Sequence, residues 1–210
     1  MAADPIKLVD PLPEGEKPQE GYVALVACDQ KTQFQVHQAT FMKCSKFAEN
    51  VLAGEIDEAM PLDSDRAPAE QVQLLATWIE HHKSVPVSRI EVPMPRRLKI
   101  EELFSDPWDL HFIRQHFVGE EEDMTRCRKL YSLALLSVYL QVQPLTEMIA
   151  TFFAFKIRRG VRETGEPTKM VRRWFGKDGD YTLEEVKEMT DWVRHACEGM
   201  EIPKRAAYED

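Results

Sequence analysis

Histidines are the residues of this chain whose chemistry is best suited to holding a metal or moving a proton, and there are six of them. His81 and His82 are adjacent, so on a helix their side chains point about 100° apart, a poor arrangement for two ligands of one ion. His111 and His116 are five residues apart and face different sides of a helix. We interpret all six as solvated or half-buried side chains and expect no metal site.

Cysteines, glycines and carboxylates give no catalytic motif either. The four cysteines are scattered, none within ten residues of another, so no CxxC pair exists and we interpret them as reduced thiols. The sequence has no HExxH, GxSxG, P-loop or GxGxxG pattern. The acidic run 120–123 lacks the spaced carboxylates and glycine of a calcium loop. The sequence therefore predicts a protein that is not an enzyme and needs no cofactor.

Apolar side chains towards the C-terminus stand out instead. They are Phe152, Phe153, Phe155, Ile157, Met170, Trp174, Phe175, Tyr181, Met189 and Trp192. They either close a helical core or leave an apolar groove for a partner helix. The basic residues between Lys156 and Arg173 interleave with them, in a pattern more typical of a solvated helix face than of a nucleic-acid site.

Length, charge and hydropathy narrow the class of protein further. The chain has 210 residues and is 43% hydrophobic, enough for one domain with a real core. Its net charge of −9 argues against nucleic acid or an anionic membrane as the main partner. The longest apolar stretch, Leu130–Leu140, is far shorter than the roughly 20 residues of a membrane span. The N-terminus lacks the features of a signal peptide, so we expect a cytoplasmic or nuclear protein, or one found in both.

Periodicity predicts an α+β fold whose strands come first and whose helices follow. Residues 1–20 hold four prolines and no periodic pattern, and we interpret them as a mobile arm. The predicted strands are Tyr22–Cys28, Thr32–Val36 and a brief Met60–Leu62. The predicted helices are 38–52, 69–83, 109–118, 125–142, 145–159, 167–175 and, opened by a Thr182–Glu185 capping box, 182–198. A Pro-rich loop at 84–107 and a tail at 201–210 complete the order, and the loop region is basic, with five basic residues against one acid over 83–99.

A resemblance to a known family rests on several short matches in a fixed order. The stretch 34–47 resembles the end of a strand and the first helix of the BTB/POZ family, and Tyr22–Asp29 resembles the first strand of its cullin-adapter branch. Further matches to the Skp-type (S-phase-kinase-associated) adapters are Leu74–Lys83, Pro107–Asp109, 130–140, 167–174 and 180–185. The resemblance covers roughly residues 22–198. It implies a BTB/POZ-like domain over 21–160, followed by a helical extension over 161–200 that binds an F-box.

The resemblance also implies the residues that contact partners. On the side that would bind an F-box protein they are Tyr131, Ala150, Phe153, Ile157, Met170, Trp174, Tyr181, Met189 and Trp192. Tyr139 corresponds to a cullin-contacting Tyr, but its neighbour is Val138 where the family has Asn. A polar contact would be lost at this point, which weakens the expected link to a cullin. The family's middle loop is acidic, whereas the loop here is basic.

Two functions follow from these observations. In the first, the chain is a non-catalytic adapter resembling the Skp subunit of SCF-type ubiquitin ligases; it binds an F-box protein and presents it to a cullin. In the second, it is a structural subunit of a stable multiprotein assembly that keeps the F-box-type groove without the cullin link. A homodimer through the BTB face is a further possibility, because BTB folds often self-associate. Direct binding of nucleic acid or membrane is not expected.

Overall fold

The computed structural model describes residues 4–13, 15–53, 59–62, 65–88, 90, 99–117 and 124–164, with only the backbone at 124–127 and 158–164. The chain divides into two units, 1–175 and 176–210, and every described residue lies in the first. The described residues form an α+β structure, as the sequence predicted, and contain a small sheet and six α-helices. The helices predicted at 167–175 and 182–198 and the tail at 201–210 lie outside the described residues.

A three-stranded sheet opens the fold. Strands β1 (Tyr22–Val26) and β2 (Gln33–His37) form the predicted antiparallel hairpin, with Leu25 opposite Phe34. Strand β3 (Met60–Pro61) pairs in parallel with β1, which gives the order β2-β1-β3 and confirms the brief third strand. In the hairpin turn, the carboxylate of Asp29 accepts hydrogen bonds from the Thr32 hydroxyl and from two backbone N–H groups. These bonds, that of Thr32 first, lower the pKa of Asp29.

The single helix predicted over 38–52 is wrong, because the structure has two. Helix α1 spans Gln38–Cys44 and helix α2 spans Lys46–Val51. Ser45 separates them with an extended backbone, and its hydroxyl accepts a hydrogen bond from the backbone N–H of Ala48 as the N-cap of α2. The same hydroxyl donates to the carbonyl of Leu140. A long-range contact therefore breaks a periodicity that local sequence alone suggests is continuous.

Helices α3 (Ala69–His81) and α4 (Pro107–Phe117) supply the middle of the core. The predicted inward residues Val72, Leu75 and Ile79 are fully buried, and so is Trp78. The indole N–H of Trp78 donates to the carboxylate of Asp109, which is itself 0% exposed. The predicted loop between these helices contains a short 3₁₀ helix at Ile100–Glu102.

Helices α5 (Met124–Tyr139) and α6 (Gln143–Thr164) pack against each other, and α5 also packs on α3 and α4. The predicted inward residues of α5 are buried: Leu130, Leu133, Ser137 and Leu140. On α6, Met148, Ile149 and Phe152 are buried as predicted, whereas Phe153 is only half-buried. Within the described residues, no helix has the length and apolar character needed to cross a membrane.

The N-terminal segment from Asp4 to Leu12 lies across α3 and α4. Gln115 of α4 binds both backbone groups of Ile6: its carbonyl accepts from Ile6 N at 2.7 Å and its amide donates to Ile6 O at 3.0 Å. Thr77 and Gln73 of α3 bind the N–H and the carbonyl of Val9 in the same way. The mobility of the arm stays a prediction, but this part of it has specific attachment points.

Candidate interaction surfaces

The predicted partner-binding residues fall into two groups. Tyr131, Ala150, Phe153 and Ile157 from the F-box set, and Val138 and Tyr139 from the cullin set, are described by the structure. Met170, Trp174, Tyr181, Met189 and Trp192 lie outside the described residues.

An apolar stripe on α6 contains three of the predicted F-box contacts. Ala150 is exposed, and Phe153 and Ile157 are half-buried. These residues are three, four or seven positions apart, so they share one face of the helix, and Ala154, also exposed, lies between them. The ring of Phe153 meets that of Phe152 edge to face at 6.5 Å, so the core fixes one side of Phe153. We call this face the α6 stripe.

A second apolar face runs along α5, beside the one that is buried in the core. Tyr131, Ala134 and Leu135 are half-buried, and Val138 is 44% exposed. The spacing of three, four and seven again places them on one side of the helix. Val138 is one of two large hydrophobic side chains exposed among the described residues, and the other is Val51 of α2. Val138 therefore lies at the surface. This is the position at which the Skp-type adapters, which the sequence resembles, have Asn.

A tight corner after α5 positions Val138 and Tyr139. The hydroxyls of Ser137 and Thr146 lie 2.9 Å apart and tie the end of α5 to the first turns of α6. Gln141 adopts a left-handed conformation with φ 51°, which reverses the chain between the two helices. The backbone N–H of Val142 then donates to the carbonyl of Ser137 at 2.7 Å.

Helix α2 completes a surface next to this corner. The rings of Phe47 and Tyr139 lie 6.2 Å apart. Phe47 and Val51 are four residues apart on α2 and share a face, and the backbone N–H of Lys46 donates to the carbonyl of Gln141. We use the name corner patch for Phe47 and Val51 of α2 and for Val138 and Tyr139 at the end of α5. Its apolar character suits a protein partner.

A separate cluster of polar and aromatic groups lies where α3 ends and α4 begins, and sequence reasoning missed it. His82 directly follows α3, and its ring Nε2 lies 3.0 Å from Asp109 Oδ1, both side chains being fully buried. His81 Nε2 lies 2.7 Å from Asp106 Oδ2, and its ring stacks on Trp108 with centroids 3.8 Å apart. The signals were present in the sequence: a His pair at a helix end and two aspartates flanking a tryptophan.

Asp106 belongs to this cluster and directly precedes α4. Burial opposes its ionisation, but hydrogen bonds from His81 and from the backbone N–H of Trp108 outweigh burial, so the pKa of Asp106 is lowered. A cavity of about 560 Å³ borders the cluster and is lined by the N-terminal segment, α3 and α4, including His81 and Trp108. A small solute therefore has a route to this side of the cluster.

No protein-family model and no curated protein matches the chain.

Proposed function

We propose that the chain is a non-catalytic adapter of the Skp type, with a BTB/POZ-like core and a helical extension over 161–200. In this proposal it captures an F-box protein through its C-terminal helices and presents that protein to a cullin, as part of an SCF-type ubiquitin ligase in the cytoplasm or nucleus. The α6 stripe carries the proposal, because it offers apolar side chains to solvent at the helical spacing that a partner helix requires. The order of elements also agrees with the resemblance.

The F-box half of the proposal is tested on the α6 stripe. Titration of the purified full chain with an F-box segment from the source organism gives a dissociation constant. Phe153→Asp is expected to weaken binding by about 2 kcal/mol or more, because it places a charge in a desolvated apolar contact. Lys31→Asp is the matched control, because Lys31 is exposed in the hairpin turn, away from α6. If both variants bind the F-box segment with equal affinity, the α6 stripe is not part of the binding site.

The cullin half is tested on the corner patch. Val138→Asp is expected to abolish binding of a cullin N-terminal repeat and to affect F-box binding less than Phe153→Asp does. Val138→Asn restores the residue of the family and is expected to strengthen cullin binding by about 1 kcal/mol, the net value of one hydrogen bond.

A structural subunit without a cullin link is the second candidate, and exposed Val138 favours it. In that case neither the wild-type chain nor Val138→Asn binds a cullin, and F-box binding persists. The corner patch would then contact another member of the assembly. A tight complex of the wild-type chain with a cullin would eliminate this alternative.

A further inference from the structure

We propose that His81, His82 and Asp106 form a binding site for a divalent transition metal of the zinc class. One ring nitrogen of each histidine and one carboxylate oxygen of Asp106 lie within 4.8 Å of one another. The adjacency of the two histidines argued against a shared ion on a regular helix. The structure changes this, because α3 ends at His81 and the imidazole centroids of His81 and His82 come to 4.9 Å.

The donor set suits this class of ion. Two imidazoles and one carboxylate are ligands of zinc-type sites, and a water molecule can complete a four-coordinate shell. The side chains of His81 and Asp106 are 21% and 15% exposed, which leaves room for that water on the cavity side. Without metal, His81 Nε2 and Asp106 Oδ2 are joined by a hydrogen bond of 2.7 Å. Zinc–ligand bonds are about 2 Å long, so an ion that replaces the proton of this bond needs these two atoms to separate slightly, and it needs ligand atoms that lie as far apart as 4.8 Å to move closer together.

Asp109 supplies the support that metal-binding histidines usually have. Its carboxylate faces His82 Nε2 at 3.0 Å and therefore fixes the ring orientation, as in carboxylate–histidine–metal arrangements. With Nε2 turned towards Asp109, the ion would bind His82 Nδ1 in place of the contact that this nitrogen makes with the carbonyl of Val85 at 3.2 Å. Among the described residues, the second carboxylate oxygen of Asp109 is buried without a hydrogen-bond partner. A nearby positive charge stabilises a carboxylate in this state.

The site would join the two ends of the Pro-rich loop. His81 ends α3, His82 directly follows it, and Asp106 directly precedes α4, so one ion would link both helices across the residues between them. Metal binding would then stabilise the folded state, because the unfolded chain does not hold these ligands together. This role is separate from the α6 stripe and the corner patch, so failure of either proposal leaves the other standing.

Two variants remove ligands while keeping the local fold. His81→Phe keeps a ring to stack on Trp108, and Asp106→Asn keeps an acceptor for the Trp108 N–H at the start of α4. His111→Phe is the matched control: it removes another cavity histidine, one that donates to the carbonyl of Asp4 and is not part of the cluster.

Chelator-treated full-length protein is titrated with Zn²⁺ by calorimetry and with Co²⁺ by visible absorption. The wild-type chain and His111→Phe are expected to bind one ion each and to show Co²⁺ d–d bands. His81→Phe and Asp106→Asn are expected to bind at least about tenfold more weakly. The proposal is overturned if the wild-type chain gives no stoichiometric Co²⁺ spectrum, or if both ligand variants bind Zn²⁺ as tightly as the control.

Discussion

At the scale of single residues, a few polar side chains decide how the elements join. Ser45 is the clearest case, because its buried hydroxyl caps α2 and also donates to the carbonyl of Leu140, 95 residues away in sequence. Ser137 and Thr146 act similarly between α5 and α6. Each of these hydroxyls is small enough to be buried and satisfies a backbone or hydroxyl partner that packing would otherwise leave without one.

Ser45→Ala is expected to lower the free energy of unfolding by about 1–2 kcal/mol, because it removes an N-cap and leaves the Leu140 carbonyl without its donor. Urea denaturation monitored by circular dichroism measures the change. Ser84→Ala, at an exposed position after α3, is the control and is expected to stay within about 0.5 kcal/mol of wild type. A loss no larger than that of the control would contradict the role assigned to Ser45.

His116 is expected to make stability depend on pH. Burial lowers its pKa, with a contribution from nearby His111 that outweighs the opposing effect of Glu70. The unfolded chain therefore takes up this proton first as the pH falls, beginning near its ordinary value of about 6.5. Stability from this group is fully present above that pH and is lost as the pH falls towards the lower folded-state pKa.

His116→Phe tests this dependence, since phenylalanine keeps a ring beside Phe112 but cannot be protonated. Urea midpoints measured between about pH 8 and pH 5 are expected to fall less steeply for this variant than for wild type. His37→Phe is the comparison at a half-buried histidine on the sheet. Parallel curves for wild type and His116→Phe would show that burial of His116 has no such effect.

At the scale of elements, side chains of α3 and α4 bind the N-terminal segment through its backbone. Gln115 holds both polar backbone groups of Ile6, and Gln73 with Thr77 holds those of Val9. Ile6, Leu8 and Val9 also pack on the core. These hydrogen bonds are made to the backbone of the segment and not to its side chains. For this reason no pattern in the sequence of the segment indicated them.

Gln115→Ala is expected to release the segment around Ile6 and to speed trypsin cleavage after Lys7 several-fold, because proteolysis follows the population of the open form. The time course of limited proteolysis, read by mass spectrometry, measures the rate. Gln143→Ala at the start of α6 is the control, and trypsin is expected to cleave this variant after Lys7 at the wild-type rate. If wild type is itself cut as fast as the Gln115 variant, the segment is mobile as the sequence predicted.

At the scale of the whole molecule, the two apolar surfaces of the proposed function lie on α6 and at the corner formed with α2. A ligand that binds only the folded chain must raise its stability in proportion to occupancy. An F-box segment at 100 times its dissociation constant is therefore expected to stabilise the wild-type chain by about 2.7 kcal/mol. Thermal denaturation with and without the segment measures this, and Ile157→Asp is expected to abolish the increase whereas Lys31→Asp keeps it. An increase unchanged in Ile157→Asp would place the binding site elsewhere.

Local patterns in the sequence determined much of the fold. Alternation over 32–36 and the β-rich run before it predicted the hairpin, and helical spacing predicted α3, α5 and α6, because each pattern follows from burying one face of a single element. The predicted inward residues of α5 are buried for this reason. The sequence also marked candidate contacts: Phe153 and Ile157 of α6 through the local excess of apolar residues, and Val138 and Ala150 through resemblance alone.

Only the tertiary structure decided the features that depend on residues far apart in the chain. It broke the helix at Ser45, attached the N-terminal segment to Gln115, and brought His81 and His82 to Asp106. Sequence periodicity reports which face of an element is buried but not which partner it meets. The distances between α3 and α4 that create the proposed metal site are set by packing of the whole core, and no local pattern contains them.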